Sequence, residues 1–394
     1  MKIEGFSTSA VAAGVKYKDR LDIGLIYAEE PAVTAGVFTT NQVIAAPLVL
    51  DMERLKQGRA QAILVNSGCA NACTGKQGMQ ASVETSRMVA EHLHIKEEMV
   101  QVSSTGVIGV QLNTDVFRRA MPELIAGLGP DNFEKVAEAI MTTDTMKKTV
   151  YRTVEIGGKQ INFMAMAKGS GMIMPNMATM LAFVLTDAQI GYVELNDALR
   201  KAVDTSFNRI TVDGDTSTND MVLIMANGKA DNPWIEEIDS PEHRKFIAGL
   251  SEILKELALM IVADGEGATK AITIRICGAK ETEDAVRVGR TIANSNLVKT
   301  AFFGEDANWG RIFAAMGRSG VRFNPEAVDI YFDDVLIVKN GLAVGGDAEA
   351  EADRVLKKRD IRVTVDMKDG SVCEEIYTCD FSLDYVRINA DYRT

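Results

Sequence analysis

Glycine and proline interrupt an apolar stretch near the middle of this chain, and no other feature constrains the fold as strongly. Gly169, Gly171 and Pro175 occur within residues 168–181, which would otherwise continue as apolar core. Glycine permits backbone angles that other residues rarely adopt, and proline fixes its own φ angle. We therefore expect a bent backbone ahead of the strand-like run at residues 181–185.

The dipeptide Ala178-Thr179 lies just before that strand-like run. The hydroxyl of Thr179 can attack the carbonyl carbon of Ala178 to form an ester, which water then opens. Such a cleavage leaves Thr179 with a free α-amine beside its own hydroxyl, so that one residue is both nucleophile and base. The same dipeptide before an apolar strand is also common without this chemistry, and the residues alone leave both interpretations open.

Length and charge limit the domain count and the partners. The 394 residues, of which 46% are hydrophobic, predict two or three domains, or two large layered ones. A net charge of −12 without a clustered basic stripe disfavours nucleic acid and anionic membranes as partners. The N-terminus shows no signal-peptide pattern, and the longest apolar runs are too short to span a bilayer. We therefore predict a cytoplasmic protein.

The cysteines and histidines do not form a pattern typical of a metal site. Five cysteines, odd in number and scattered, predict free thiols in a reducing compartment. His92 and His94 are two residues apart and so point to different faces of a helix, while His243 lies among charged residues and is expected to be solvated. No metal is expected, and a Ser-His-Asp hydrolase or a zinc enzyme of the usual kinds becomes improbable.

Strand-like and helical patterns alternate along the chain, with hairpins among them, which predicts a layered α/β fold. The strand-like segments are residues 61–65, 181–185, 221–225, 271–276, 328–332 and 361–365, with a hairpin over 154–164 that turns at Gly157-Gly158. The main helical patterns cover residues 114–128, 132–141, 193–203 and 242–261, with a further helix after residue 75. The acidic loop at 211–220 lacks the glycine and glutamate of a calcium loop and predicts an Asx-rich turn.

Two loops carry residue types suited to catalysis or binding. Residues 102–109 form a hydroxyl-rich turn after a predicted strand, and such a turn could supply the donors of an oxyanion hole. From the local sequence alone an ordinary strand-to-helix loop is the preferred interpretation. Glu266 lies between Gly265 and Gly267, where no bulky neighbour shields it, so its carboxylate could bind a substrate ammonium. A solvated turn acid would look the same.

The chain closely resembles the ornithine acetyltransferase family, whose bifunctional members are also glutamate N-acetyltransferases of arginine biosynthesis. The resemblance runs nearly end to end, and one departure is Cys69, where asparagine is more usual; it places no catalytic role in doubt. The motifs that carry it lie at residues 66–72, 104–109, 142–145, 168–173, 176–180, 211–220, 264–270, 304–311 and 389–394.

The resemblance implies self-cleavage between Ala178 and Thr179. The products would be an α chain, residues 1–178, and a β chain, residues 179–394, which stay associated as an α-β-β-α sandwich with the active site between the two chains. The assembly would be an α2β2 heterotetramer. No cofactor is implied, although acetyl-CoA could be a substrate beside N2-acetylornithine and glutamate.

The resemblance also implies residue roles. Thr179 would be the acetylated nucleophile, and Thr105 and Gly106 would stabilise the oxyanion. The substrate-binding positions would be Thr142, Lys168, Thr179, Glu266, Asn389 and Thr394.

Two alternatives remain beside the acetyltransferase. An amidase or aminopeptidase with an N-terminal nucleophile would share the self-cleaving threonine but release its acyl group to water. A non-catalytic relative would keep the fold, although the intact Ala178-Thr179, Lys168 and Thr105-Gly106 argue against it. Whether acetyl-CoA is also a donor is left open by the sequence, with the bifunctional alternative preferred.

Overall fold

The computed structural model describes residues 2–174 and 180–391. These residues form two compact units, and each unit is built from three separate segments of the chain. The first unit contains the described residues of 1–169, 175–208 and 215–261, and the second contains those of 170–174, 209–214 and 262–394. Ala178, Thr179 and Thr394, three of the predicted site residues, lie outside the described residues.

Fifteen strands and eleven α-helices form in the described part of the chain. The strands are Phe6–Val11 (β1), Ile23–Phe38 (β2), Arg59–Asn66 (β3), Val100–Ser104 (β4), Lys148–Ile156 (β5), Lys159–Lys168 (β6), Leu181–Thr186 (β7), Ile210–Thr211 (β8), Met221–Ala226 (β9), Ala271–Ala279 (β10), Asp329–Phe332 (β11), Val335–Lys339 (β12), Leu342–Ala343 (β13), Asp360–Asp366 (β14) and Val372–Cys379 (β15).

The helices are Ala46–Arg54 (α1), Gly75–Leu93 (α2), Thr114–Ala126 (α3), Phe133–Ala139 (α4), Tyr192–Asp204 (α5), Pro241–Ala263 (α6), Thr282–Ala293 (α7), Asn296–Phe303 (α8), Trp309–Gly317 (α9), Ala348–Leu356 (α10) and Leu383–Ala390 (α11). Over residues 2–174 and 180–391, none of these helices combines the length and the apolar character needed to cross a membrane.

The first unit is built on an eight-stranded sheet with strand order β4-β3-β2-β9-β7-β6-β5, and β1 pairs with β2. The central strands β7 and β9 pair in parallel, and every residue of both is buried. Their near-continuous apolar sequences suit strands that are covered on both faces. The chain leaves the sheet at Lys168 at the end of β6 and returns at Leu181, its partner in the β6–β7 register.

Helices cover both faces of this sheet around β3, whose side chains alternate between two hydrophobic clusters. Ile63 and Val65 pack in a cluster that includes α4 residues, whereas Ala62 and Leu64 pack in a cluster that includes α2 and α3 residues. The edge of β3 that pairs with β4 therefore lies in a fully packed setting. This packing on both faces of the sheet fixes the position of the C-terminal end of β4, and with it the start of the residues that follow.

The second unit is built on a seven-stranded sheet with strand order β13-β12-β11-β14-β10-β15-β8. Helix α7 packs on β10 and β15 through a face that includes Ala285, Val288 and Ile292. Gly289 lies on the same face, where a β-carbon would come within 2.7 Å of Ile376 Cγ1. The helix can approach the sheet this closely because that position has no side chain.

The predicted α/β class is confirmed, with one sheet and its helices in each unit. The hairpin predicted at Gly157-Gly158 forms as β5 and β6, with Ile156 opposite Lys159. Both glycines have positive φ, 59° and 78°, as the two central residues of a type I′ turn require.

The prediction that His243 is solvated is wrong. His243 is fully buried, because His243, Phe246 and Leu250 follow the buried face of α6 while their charged neighbours face outward. Its Nδ1 accepts from the Asp239 N–H at 3.0 Å, so Nε2 is the donor to the Glu194 carbonyl at 3.0 Å.

The cysteines are likewise not all free thiols. Cys277 on β10 and Cys373 on β15 are opposite one another in register and form a disulfide, while Cys69, Cys73 and Cys379 are free. Because 96 residues separate the bonded pair in sequence, only the strand register brings the two together.

Replacing a buried residue of the central strands should destabilise the first unit. Phe183 in β7 is fully buried, and Phe183→Ala should lower the free energy of unfolding by about 3–5 kcal/mol because it leaves a cavity. The control Val193→Ala removes a side chain that is 59% exposed and should change stability by less than about 0.5 kcal/mol. Urea unfolding followed by circular dichroism measures both, and equal midpoints for the two variants would contradict the central role of β7.

Candidate active site

The predicted oxyanion residues Thr105 and Gly106 follow directly after β4, at the point where the strand leaves the sheet. Gly106 has a φ of +131°, and a β-carbon there would lie 2.4 Å from the Gly68 carbonyl carbon. No other residue fits this position without moving the backbone. The turn therefore requires glycine for two independent reasons.

A second loop, residues 66–72, holds this turn from one side. The Thr105 N–H donates to the Asn66 carbonyl at 2.9 Å, and the Val107 N–H donates to the Gly68 carbonyl at 3.3 Å. In return, the Ala70 N–H donates to the Val107 carbonyl at 3.0 Å. The turn is thus fixed by backbone hydrogen bonds on both sides of Gly106, which an ordinary surface loop would lack.

Lys168 is the last residue of β6 and is buried. Its Nζ donates to the Thr105 hydroxyl at 3.2 Å. Two residues to which the resemblance gave separate roles, 63 positions apart in the sequence, are therefore in direct contact. The cation places a positive charge beside the turn at which negative charge is expected to develop.

A carboxylate that the sequence analysis missed organises the surroundings of Lys168. Asp144 accepts from the Thr142 N–H at 3.1 Å, from the Gly169 N–H at 2.7 Å and from Lys148 Nζ at 2.7 Å. The Asp144–Lys148 pair is fully shielded from solvent. One side chain therefore connects predicted binding residue Thr142 with the residue that follows Lys168.

The ionised form of the Asp144 carboxyl is strongly favoured over the protonated form. Burial by itself would raise the pKa of this carboxyl, but the charges of Lys168 and Lys148, with hydrogen bonds from Lys148 and the Gly169 N–H, lower that pKa to about 2. The sequence offered a weak signal, since the residue lies in the 142–145 motif as the one acid among three threonines. Lys148 gave no signal, because a lysine at a strand start is usually solvated.

In the second unit, Glu266 and Asn389 are in contact. Asn389 on α11 donates from Nδ2 to Glu266 Oε2 at 2.8 Å and to the Tyr385 carbonyl at 3.0 Å. Glu266 is not the unshielded acid that its flanking glycines suggested, since it is only 7% exposed. Its carboxylate occupies the space beside Gly171, where a β-carbon would lie 2.3 Å from it, and its N–H donates to the Ser170 carbonyl at 2.9 Å.

Asp213 is a second carboxylate that sequence analysis missed. It accepts from the N–H groups of Met172 and Ile173 at 2.6 and 2.8 Å, and Met172 has a φ of +57°. The Val212 N–H and the Thr211 hydroxyl both donate to the Ile173 carbonyl. The bend predicted from Gly169 and Gly171 is therefore held by the acidic loop that the sequence marked only as an Asx-rich turn.

Comparison with known proteins identifies the family. The ArgJ family model matches residues 7–394. The arginine biosynthesis bifunctional protein ArgJ of Desulfotalea psychrophila is 61% identical over the full length of both chains, and that of Geobacter sulfurreducens is 52% identical, again over both full lengths.

Among solved structures, the arginine biosynthesis bifunctional protein ArgJ of Bacillus halodurans is 43% identical, with a TM-score of 0.51. The match covers 53% of this chain and 97% of that one. The resemblance inferred from the motifs is confirmed, and this chain belongs to the ArgJ family.

Proposed function

We propose that this protein transfers the acetyl group of N2-acetylornithine to glutamate, giving ornithine and N-acetylglutamate, through an acetylated Thr179. Membership of the ArgJ family supports an acetyltransferase of arginine biosynthesis. The observation that carries the residue assignment is the 3.2 Å contact between Lys168 and Thr105. It joins a predicted substrate-binding cation to a predicted oxyanion donor.

Self-cleavage is the first step of the proposal. The Thr179 hydroxyl attacks the Ala178 carbonyl, the peptide nitrogen leaves as the new α-amine of Thr179, and water hydrolyses the resulting ester. The hydroxyl is thereby restored, and the chain ends as residues 1–178 and 179–394. The new amine is the base that the chain otherwise lacks at this position.

Transfer then proceeds in two halves. The Thr179 amine accepts the hydroxyl proton as the oxygen attacks the acetyl carbonyl, and the Thr105 hydroxyl and the Gly106 N–H donate to the oxyanion. Collapse breaks the amide bond, and the departing α-amine of ornithine takes the proton. Glutamate enters, its α-amine attacks acetyl-Thr179, and the steps run in reverse to release N-acetylglutamate. Each oxyanion donor is worth roughly 100–1000-fold in rate.

The remaining residues bind substrate in this proposal. Lys168 holds the α-carboxylate, assisted by Thr142, and Glu266 binds the side-chain ammonium of ornithine. Asn389 orients the Glu266 carboxylate through its 2.8 Å hydrogen bond. Thr394 completes the proposed set of binding residues.

The compartment and the assembly of the enzyme are also part of what we propose. We assign it to the cytoplasm as an α2β2 assembly with small-molecule substrates and no cofactor. Acetyl-CoA is included as a second acetyl donor, because the family that the sequence resembles contains bifunctional members.

Intact mass spectrometry under denaturing conditions tests self-cleavage. The purified protein should give two masses, for residues 1–178 and 179–394, whereas Thr179→Ala should give only the full-length chain. The control Thr143→Ala, which replaces a threonine of the 142–145 motif, should be cleaved as the wild type is. A single full-length mass for the wild type would remove the free amine from the mechanism.

Steady-state kinetics test the role of Glu266. Because Glu266→Gln removes the charge that pairs with an ammonium, the KM for N2-acetylornithine should rise by about tenfold or more, which corresponds to a charged hydrogen bond. The extent of self-cleavage should stay unchanged, and the exposed control Glu283→Gln should leave both quantities as in the wild type. Equal loss of cleavage and of binding in Glu266→Gln would contradict the proposed role.

The depressed pKa of Asp144 makes part of the stability depend on pH. Its carboxyl has a pKa of about 2 in the folded protein against an ordinary 3.8, which contributes about 2 kcal/mol above pH 4. That contribution is lost as the pH falls from about 4 to about 2, because the folded carboxylate then becomes protonated. Asp144→Asn should therefore be less stable than the wild type at pH 7, by a margin that shrinks in this acid range.

The control for this measurement is Asp131→Asn, which alters an exposed ion pair with Lys2. Urea midpoints measured from pH 7 to pH 3 should show no comparable margin for it. A wild-type advantage over Asp144→Asn that stays constant down to pH 3 would contradict the assignment.

A further inference from the structure

One buried amide bridges the loop of residues 66–72 and the end of β4, where the predicted oxyanion turn begins. Asn219 is only 4% exposed. Its Nδ2 donates to the Ala70 carbonyl at 2.6 Å and to the Ser104 carbonyl at 2.8 Å. Both hydrogens of the amide are thus used, one on the loop and one on the last residue of β4.

The orientation of this amide is fixed by its own neighbours. Its Oδ1 accepts from the Thr218 hydroxyl at 2.6 Å, and its backbone N–H donates to the Ser217 hydroxyl at 3.1 Å. The two carbonyls can accept only from the nitrogen, so the assignment of oxygen and nitrogen follows from the network. Asn219 therefore has one orientation that satisfies all its partners.

The peptide unit between Ser104 and Thr105 is held at both of its polar atoms. Its carbonyl accepts from Asn219, and its N–H donates to the Asn66 carbonyl at 2.9 Å. The side chain of Asn66 adds a second tie, because its Oδ1 accepts from the Ser104 hydroxyl at 2.7 Å. A peptide plane held at both edges fixes the direction in which Thr105 and then Gly106 leave the strand.

We infer that Asn219 is a positioning residue for acetyl transfer, which holds Thr105 and Gly106 in the geometry that an oxyanion requires. This inference rests on the proposed function, since it takes the oxyanion roles of those two residues from it. Among the described residues, Asn219 bonds to the Ala70 and Ser104 carbonyls and to its neighbours Thr218 and Ser217, which is why we assign it a positioning role. It belongs to residues 179–394, whereas the turn that it holds belongs to residues 1–178, so one cleavage product would set the catalytic geometry of the other.

A positioning role and a merely structural role predict different measurements. Two hydrogen bonds to buried carbonyls are a modest part of the stability of a folded protein. A displacement of donors by about 1 Å can cost about 100-fold in rate. Loss of the amide should therefore lower kcat much more than the accompanying loss of stability would explain.

The test compares Asn219→Asp with Asn232→Asp. Aspartate keeps the shape but replaces the donor by an acceptor that faces two carbonyls. Asn232 is a matched control in the same unit: it is 3% exposed, and its Nδ2 donates to the Gln189 and Pro233 carbonyls at 3.1 and 2.7 Å. The purified protein, expressed from the full chain, is assayed with N2-acetylornithine and glutamate, and rates are normalised to the amount of cleaved chain measured by intact mass.

We expect similar losses of thermal stability in both variants. Asn219→Asp should lower kcat by about 10- to 100-fold with KM within about twofold, and the rate of acetyl-Thr179 formation in a single turnover should fall equally. Asn232→Asp should keep the wild-type kcat. If Asn219→Asp does not fold, Thr218→Val loosens the same amide at nearly constant volume and should lower kcat by a few-fold, with KM unchanged.

The outcomes separate this inference from the proposed function. A wild type that transfers no acetyl group overturns the proposed function and the role of Asn219 together. An active wild type, with kcat retained in the Asn219 or Thr218 variant or lowered equally in Asn232→Asp, overturns only the role of Asn219. A rise in KM without a fall in kcat also overturns it, because substrate binding would then be the step affected.

Discussion

The parallel pairing of β7 with β9 is the interaction on which the rest of the first unit depends. These strands lie in the centre of the eight-stranded sheet, with β6 on one side and β2 on the other. The β6–β7 register sets Lys168 opposite Leu181, so the sheet itself fixes where the chain departs and where it returns. The position of Lys168, and through it the contact with Thr105, follows from this register.

Around Lys168 the protein uses buried charge and backbone hydrogen bonds rather than apolar packing. Asp144 accepts from one lysine and two backbone N–H groups, and it stays ionised because these partners outweigh the cost of burial. Such a cluster is rigid, since removing one partner leaves another buried and unsatisfied. Rigidity of this kind is what a site needs when a hydroxyl and a backbone N–H must face a single oxygen atom.

Much of this arrangement could be predicted from the sequence, and the limits have physical causes. The β5–β6 hairpin was predictable because Gly157-Gly158 is a strong local turn signal, and β7 and β9 were predictable because their apolar runs are continuous. The Cys277–Cys373 bond and the hydrogen bonds of Asp144 and Asn219 were not, because each depends on strand register or on partners distant in sequence. The burial of His243 was not predicted, because the residues next to it in sequence are charged although it lies on the buried face of α6.

In the candidate site, too, some features could be predicted from the sequence and others could not. The glycine requirement at Gly106 follows from a motif, but the reason for it, contact with Gly68, is a tertiary fact. Glu266 was expected to be open to solvent because flanking glycines leave a side chain unshielded locally. In the structure its carboxylate is instead covered by Asn389 and by the backbone at Gly171. The roles of Thr179, Ala178 and Thr394 stay predictions.

The order of the strands in the first sheet determines whether folding or cleavage would have to come first. Strands β7 and β9 come from residues after 179, yet they lie between strands that come from residues before 178. Residues 1–178 alone would therefore leave a gap of two strands in their sheet. A cut after residue 178 would have to follow folding, and the ratio of cut to uncut chain would report, inside a cell, how much of the protein has matured.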